Sequence, residues 1–368
     1  MVIKFFDMLF FKDLTHFPVQ DGLSFKGQLF FIGIDVHKKS WTVTIRVNGM
    51  HLKSFTMEPS ASKLAKFLNK NYPGGIYYSV YEAGFSGYWL HYQLLDLNIK
   101  NIVINPGDVP ISNKEKSYKD DVIDSRKLAR ELENNSLKAI YVPTLKQSAT
   151  RQLSRLYALQ SEQCRRTKMR IKSFLNYLGI SIPVEVGERW TNRLIKWLER
   201  LEFKEEGLCY YLKQLTKDLK RKRKEMAKTI QKIKDHYAEE EIIKLLRTIP
   251  GVGLITAFTF YAEIMDITRF SNQDKLASWV GLIPSLKSSG ERVKVRGLNN
   301  RQNKLLKWRL IESAWVAIKH DPALTACYLE YVKRMSRQEA IIKIARKLLN
   351  RMRSIWLNRE AYQKGRTL

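Results

Sequence analysis

Cysteine, acid and long apolar runs are all scarce in this chain of 368 residues. The three cysteines, Cys164, Cys209 and Cys327, lie far apart and form no C-x-x-C pair. That spacing excludes a cysteine-based zinc site and a disulfide framework, and a cytoplasmic setting is expected. No apolar run reaches the ~18 residues of a spanning helix, so no membrane partner is expected. The apolar N-terminus is broken by Lys4, Asp7, Lys12 and Asp13 and carries no small-residue cleavage site, so it does not read as a signal peptide. Acid is short relative to base: 36 Asp and Glu stand against 65 Lys and Arg, a formal net charge of +29. A charge of that size opposes compaction unless a polyanion neutralises it, which makes nucleic acid the expected partner.

What is present divides by pattern. Residues 1–28 lack periodicity and read as an N-terminal extension. Leu29 to Val47 opens with a nearly continuous apolar run, as in a buried central strand, and returns as an alternating second strand. Asp35 interrupts the buried run, and a buried carboxylate needs a partner because an unpaired charge there is costly. His37 follows two residues later and shares the Asp35 face only if the strand continues that far; a turn or backbone-pairing role is favoured over that of a metal ligand. Asn48-Gly49 signals a hairpin into a third antiparallel strand at His51–Met57. Next come a helix over Ser60–Tyr72 with Ser60 as its N-cap, a strand over Gly75–Glu82, a helix over Tyr88–Leu97 and a short strand over Asn101–Ile104. After a basic loop that includes Lys119, a helix carries Asp121 and Asp124. At i and i+3 they share a face and can aim at one point. A pair of that kind is by itself the pattern of a solvated helix face; two carboxylates held together otherwise call for a cation between them. One more short strand is expected at Ala139–Val142.

From Ala149 the pattern is helical and basic. Arg165, Arg166, Lys168 and Arg170 fall in a helix that ends at Gly179 and Pro183. Leu208, Leu212, Leu215, Leu219, Met226, Ile230, Ile233 and Tyr237 form a coiled-coil-like seam, interrupted by Lys222. Within Lys217–Lys234 nine Lys or Arg stand against two acids, which suits either a solvated face or an arm that dimerises on one side and meets nucleic-acid backbone on the other. Ile249-Pro250-Gly251-Val252-Gly253 reads as a helix-hairpin-helix turn, where Gly251 and Gly253 permit a tight bend and the next helix offers N–H groups to a phosphate. Ser288, Ser289 and Gly290 precede a basic stretch containing Arg292, Lys294, Arg296 and Arg301. A serine beside basic groups is a candidate nucleophile or phosphate contact.

Taken in order, Gly33-Ile34-Asp35-Val36, Tyr81-Glu82-Ala83-Gly84, Lys119 to Ser125, Thr248 to Gly253, Arg269-Phe270, Gly281-Leu282-Ile283-Pro284 and Ser288-Ser289-Gly290 form a set that resembles the DEDD transposases of the insertion sequence 110 and 1111 type, over about residues 29–320. The resemblance implies an α/β ribonuclease-H-like, RuvC-like domain, a mixed sheet with flanking helices, followed by a mostly α C-terminal part with a coiled-coil-like arm. The implied division is the extension at 1–28, the RuvC-like domain at 29–145, a basic helical linker at 146–240, the transposase domain at 241–325 and basic C-terminal helices at 326–368. It implies Asp35, Glu82, Asp121 and Asp124 as catalytic acids binding Mg²⁺, in a two-metal arrangement where both ions are held. It also implies a serine nucleophile at Ser288, or at Ser289 if the register slips by one. Double-stranded DNA, a structured guide RNA and a homodimer or tetramer are the implied partners. Two alternatives stand beside it: a metal-dependent Holliday-junction-type endonuclease using the acids alone, and a non-catalytic nucleic-acid-binding protein. The chain departs from the family pattern at Asp120, an extra acid, and at Arg301-Gln302-Asn303, where the family has a glycine.

Overall fold

The computed structural model describes residues 25–109, 120–289, 292–298 and 302–365. It divides into two compact units, residues 1–142 and 143–368. Lys119, Arg301 and residues 1–24 of the N-terminal extension lie outside the described residues.

The first unit is built on a five-stranded mixed sheet. Its elements run β1 (Leu29–Val36), β2 (Trp41–Val47), β3 (Met50–Met57), α1 (Ala61–Asn71), β4 (Ile76–Glu82), α2 (Trp89–Asp96), β5 (Lys100–Ile104) and α3 (Asp121–Glu133). The strand order is β3-β2-β1-β4-β5. β1, β2 and β3 form an antiparallel meander, and β4 and β5 run parallel to β1. The side-chain period of two sorts β1 onto two faces. Phe30, Ile32 and Ile34 join Trp41, Val43, Ile45, Leu64, Leu68, Tyr81, Leu90 and Leu94 in the larger apolar core. Gly33 lies on the opposite face, against α3, where Val80, Ile104, Val109 and Leu128 make a smaller core. Ser60 caps α1 as the sequence indicates, accepting from the Lys63 amide at 3.2 Å. The strand expected at Ala139–Val142 is reduced to a single antiparallel bridge between Ala139 and Ile104, with the Ile140 amide donating to the Val103 carbonyl of β5 at 2.8 Å.

The second unit is helical apart from one hairpin. It contains α4 (Leu145–Tyr177), α5 (Asn192–Arg200), α6 (Glu206–Tyr237), α7 (Glu241–Leu246), α8 (Leu254–Ile264), α9 (Gln273–Val280), β6 (Pro284–Ser289), β7 (Arg292–Leu298), α10 (Lys304–His320), α11 (Pro322–Val332) and α12 (Arg337–Asn358). The apolar seam of α6 is largely satisfied within the chain. Leu212, Leu215 and Leu219 are buried with Ile171 and Leu175 of α4 and Leu194 and Leu198 of α5. Lys222 breaks the seam for a physical reason. Its ammonium donates to Asp218 at 2.5 Å on its own helix and to the Thr167 hydroxyl of α4 at 3.0 Å, so a polar layer fixes how the two long helices meet. The largest core of the chain joins α7, α8, α9, α10 and α12. β6 and β7 pair antiparallel, with Ser288 opposite Val293. This hairpin is absent from the expectations, although Val293 and Val295 alternating with Arg292, Lys294 and Arg296 is a strand period.

Candidate active site

α3 is fastened to the sheet along its whole length. Gly33 on β1 faces its backbone so closely that a Cβ there would overlap the Ser125 carbonyl oxygen and lie 2.5 Å from the Ala129 nitrogen. The buried Ser125 hydroxyl pairs with Thr44 of β2 at 2.8 Å. At the far end Glu133 receives the Arg46 guanidinium at 2.7 Å and the Gly49 amide at 2.6 Å. At the near end Asp120 is the N-cap, accepting from the Val122 amide at 3.0 Å. The extra acid of the sequence is thus a cap, and Asp121 and Asp124 occupy the first turn. There the helix dipole favours negative charge. An Asp120→Asn chain, which keeps the cap, is expected to melt and to act on DNA as wild type. Asp120→Ala is expected to lose about 1 kcal/mol of stability in a urea titration. A large activity loss in Asp120→Asn would instead make Asp120 part of the chemistry.

The fastening aims α3 at Asp35. Among the described residues, Asp35, His37 and Asp121 offer ligand atoms all within 4.8 Å of one another. The His37 Nε2 lies 3.0 Å from Asp35 Oδ2 and 3.4 Å from Asp121 Oδ1. The His37 amide closes the turn onto the Ser40 carbonyl, as its assignment to the turn requires, while its ring bridges the two carboxylates. The sequence favours the turn role and leaves the ring beside Asp35 as the lesser alternative; the structure gives His37 both. Asp35 is partly shielded, with 24% of its side chain exposed, against 57% for Asp121. Burial pushes its pKa above the usual carboxylate range. The His37 ring opposes this, and the Asp121 and Asp124 charges reinforce it.

Glu82 and Asp124 stand outside the set of three. β1 and β4 pair Gly33 with Val80, so Asp35 and Glu82, each two residues further on, share the face that α3 covers. Glu82 ends β4 and is exposed. The donor set fits a divalent ion. Two carboxylates converge on one point, and the charge of a third, Asp124, adds to the strain on Asp35. A cation relieves that strain.

In the second unit, α7, the turn at 248–253 and α8 form two helices joined by a tight bend. Gly251 has φ +85°, and a Cβ on it would collide with the Ser313 carbonyl and approach the Ala317 nitrogen to 2.9 Å. Its glycine is thus required by packing against α10. A Cβ on Gly253 would meet nothing within 4 Å. The turn lines a cavity of about 510 Å³ with Arg247, His320 and Lys364. On α4, Arg165 and Arg166 both pair with Glu162, at 2.7 and 2.8 Å. Lys168 lies over the Trp190 ring and Arg170 is exposed. Ser288 is on β6, and Arg292, Lys294 and Arg296 are on β7.

A mixed five-stranded sheet with Asp35 and Asp121 meeting at one end of β1, followed by a helical unit, is consistent with the RuvC-like fold of the DEDD transposases. Residues 32–179 match the DEDD transposase model of the IS110 type, and residues 243–329 match the transposase IS116/IS110/IS902 family. The chain belongs to this family. It is 29% identical over 239 residues to the protein y4qE of Sinorhizobium fredii, covering 65% of this chain and 58% of that one. It is 26% identical over 365 residues to y4rJ of the same organism, covering 87% and 89% of the two chains. It is 27% identical over 251 residues to the transposase for insertion sequence element IS1533 of Leptospira borgpetersenii, covering 66% and 71%. Membership implies DNA as the substrate and use of a divalent metal. No helix among the described residues is long and apolar enough to cross a membrane.

Proposed function

We propose that this chain cuts and rejoins DNA at specific sites, with Ser288 as nucleophile and Asp35, Glu82, Asp121 and Asp124 as the acids of a Mg²⁺ site. The observation that carries the reading is the convergence of Asp35 and Asp121 on one point in a chain that also bears a serine hairpin. The Ser288 Oγ attacks phosphorus. An Oγ–P bond forms, a P–O bond of the strand breaks, and the serine proton ends on the departing strand oxygen. A strand hydroxyl then displaces Ser288, so the backbone is rejoined without net hydrolysis. A bound divalent ion would supply charge stabilisation to the phosphate oxygens. Asp35 and Asp121 would hold such an ion, and α3 sets their separation.

Arg292, Lys294, Arg296, Arg301 and Lys119 are read as contacts to nucleic-acid backbone. Arg165, Arg166, Lys168, Arg170 and the helix-hairpin-helix turn at Gly251 and Gly253 are read in the same way. A structured guide RNA and a homodimer or tetramer complete the reading, with the excess of 65 basic over 36 acidic residues in its support. The expected division remains 29–145, 146–240, 241–325 and 326–368. The test is adduct trapping. The chain is incubated with a guide RNA encoded beside its gene and both DNA partners, then denatured. A protein–DNA adduct that maps to the peptide containing Ser288 supports the reading. Cleavage with no adduct would mark an endonuclease that uses the acids alone.

A further inference from the structure

We propose that Glu263 is a positioning residue for the serine hairpin, acting through Asn303; the inference rests on the reading of Ser288 given above. Glu263 sits in α8 among Phe258, Phe260, Ala262 and Ile264, and only 1% of its side chain is exposed. Burying a carboxylate in such company costs several kcal/mol, and an apolar residue would often serve stability as well or better. The carboxylate is nevertheless gripped from both sides. The Arg155 guanidinium of α4 forks onto it, Nε to Oε1 at 2.9 Å and Nη2 to Oε2 at 3.1 Å. The Asn303 Nδ2 donates to the same Oε2 at 2.9 Å. Arg151 Nε stands 3.8 Å away.

Asn303 is where the hairpin returns to the helical core. Its amide donates to the Trp279 carbonyl at 3.1 Å, and Trp279 lies in α9, just before β6. That bond closes the root of β6 and β7. Beside it Gly281 has φ +86°, and a Cβ there would come 2.9 Å from the Gln302 Oε1. The two stems therefore meet within van der Waals range. The Asn303 side chain divides its two ends. Its Oδ1 caps α10, accepting from the Leu306 amide at 3.0 Å, while its amide group reaches Glu263. The root of the hairpin is thus tied to α8 and, through Arg155, to α4. A reacting serine on a two-stranded ribbon takes its precision from that root. A displacement of about 1 Å at a nucleophile can cost about a hundredfold in rate.

Two substitutions separate the tie from the cap. Asn303→Ser keeps a capping oxygen but cannot reach Glu263, and Asn303→Ala loses both. Asn303→Ser is expected to melt close to wild type and to bind DNA with wild-type affinity. It is expected to form the serine adduct about tenfold more slowly. Amide hydrogen exchange should rise in 284–289 and 292–298 and stay unchanged in α7 and α8. Asn303→Ala should match it in adduct rate but melt lower. Glu263→Gln, which leaves an acceptor for Asn303, should lose less of the rate than Asn303→Ser. Unchanged hairpin exchange in Asn303→Ser overturns the proposal, as does a wild-type adduct rate. If the wild-type chain forms no adduct, exchange alone decides. Faster hairpin exchange then keeps the tie and removes Ser288 as its purpose.

Discussion

An Asp35→Asn chain is expected to lose strand transfer and, without divalent ion, to melt at a higher temperature than wild type. The first effect follows from the several kcal/mol that a divalent ion contributes to charge stabilisation, which corresponds to roughly 10²–10³-fold in rate. The second follows from the sign of the Asp35 shift. Burial raises its pKa, His37 lowers it, Asp121 raises it, and the net direction is up. A carboxylate whose folded pKa lies above its unfolded value stabilises the fold only while protonated. That contribution is full below the ordinary carboxylate range and is lost as pH rises through the raised value. At neutral pH the ionised Asp35 therefore weighs against the fold, and a neutral amide of the same shape removes the burden. Scanning calorimetry in EDTA, repeated as pH is lowered, checks the sign. The advantage of Asp35→Asn should be largest at neutral pH and shrink as the wild-type carboxyl protonates. With divalent ion added, wild type should gain in melting temperature and the variant should gain less. A variant that melts lower than wild type in EDTA would mean that the His37 bond outweighs burial and repulsion, and the relief argument would be wrong.

The parts of this site that were legible in the sequence are those with a local signature. Asp35 stands out because it breaks a buried apolar run, and Glu82 because it ends one. Asp121 and Asp124 share a helix face by spacing alone. The ring of His37 was only half visible: its spacing allows a place beside Asp35, but the turn geometry that swings it back to Asp35 and across to Asp121 is not encoded by residue type. Partners remote in sequence were hidden as well. Glu263 and Arg155 lie 108 positions apart, and Lys222 and Thr167 lie 55 apart. Lys222 reads as a defect in the seam because its partner, Thr167, is on another helix. The β6–β7 hairpin has a readable strand period, but every second residue of β7 from Arg292 to Arg296 is basic, a pattern a charged loop shares. Asp120 has a cap's sequence signature, an Asp just before a helix, yet beside Asp121 it looked like one more acid.

The Gly33→Ala chain carries the sharpest structural prediction, because one methyl group meets backbone that cannot yield. Gly33 adopts an ordinary strand conformation, so its requirement is proximity. The added Cβ would overlap the Ser125 carbonyl, stand 2.5 Å from the Ala129 nitrogen and 3.0 Å from the Leu128 Cβ. A helix free to tilt would retreat, but α3 is held by Thr44 at Ser125 and by Arg46 and the Gly49 amide at Glu133. The strain must spread into β1 or break those bonds, and overpacking of this kind costs about 1–3 kcal/mol. Retreat of α3 also carries Asp121 away from Asp35, so weaker divalent-ion binding is expected together with the lower stability. Gly207→Ala is the control. Gly207 lies in the first turn of α6 with nothing within 4 Å of its would-be Cβ, so that change should move stability by no more than about 0.5 kcal/mol and leave ion binding alone. Urea titration and isothermal calorimetry with Mn²⁺ read both quantities. If Gly33→Ala kept wild-type stability and ion affinity, the close approach of α3 to β1 would not be what holds Asp121 against Asp35.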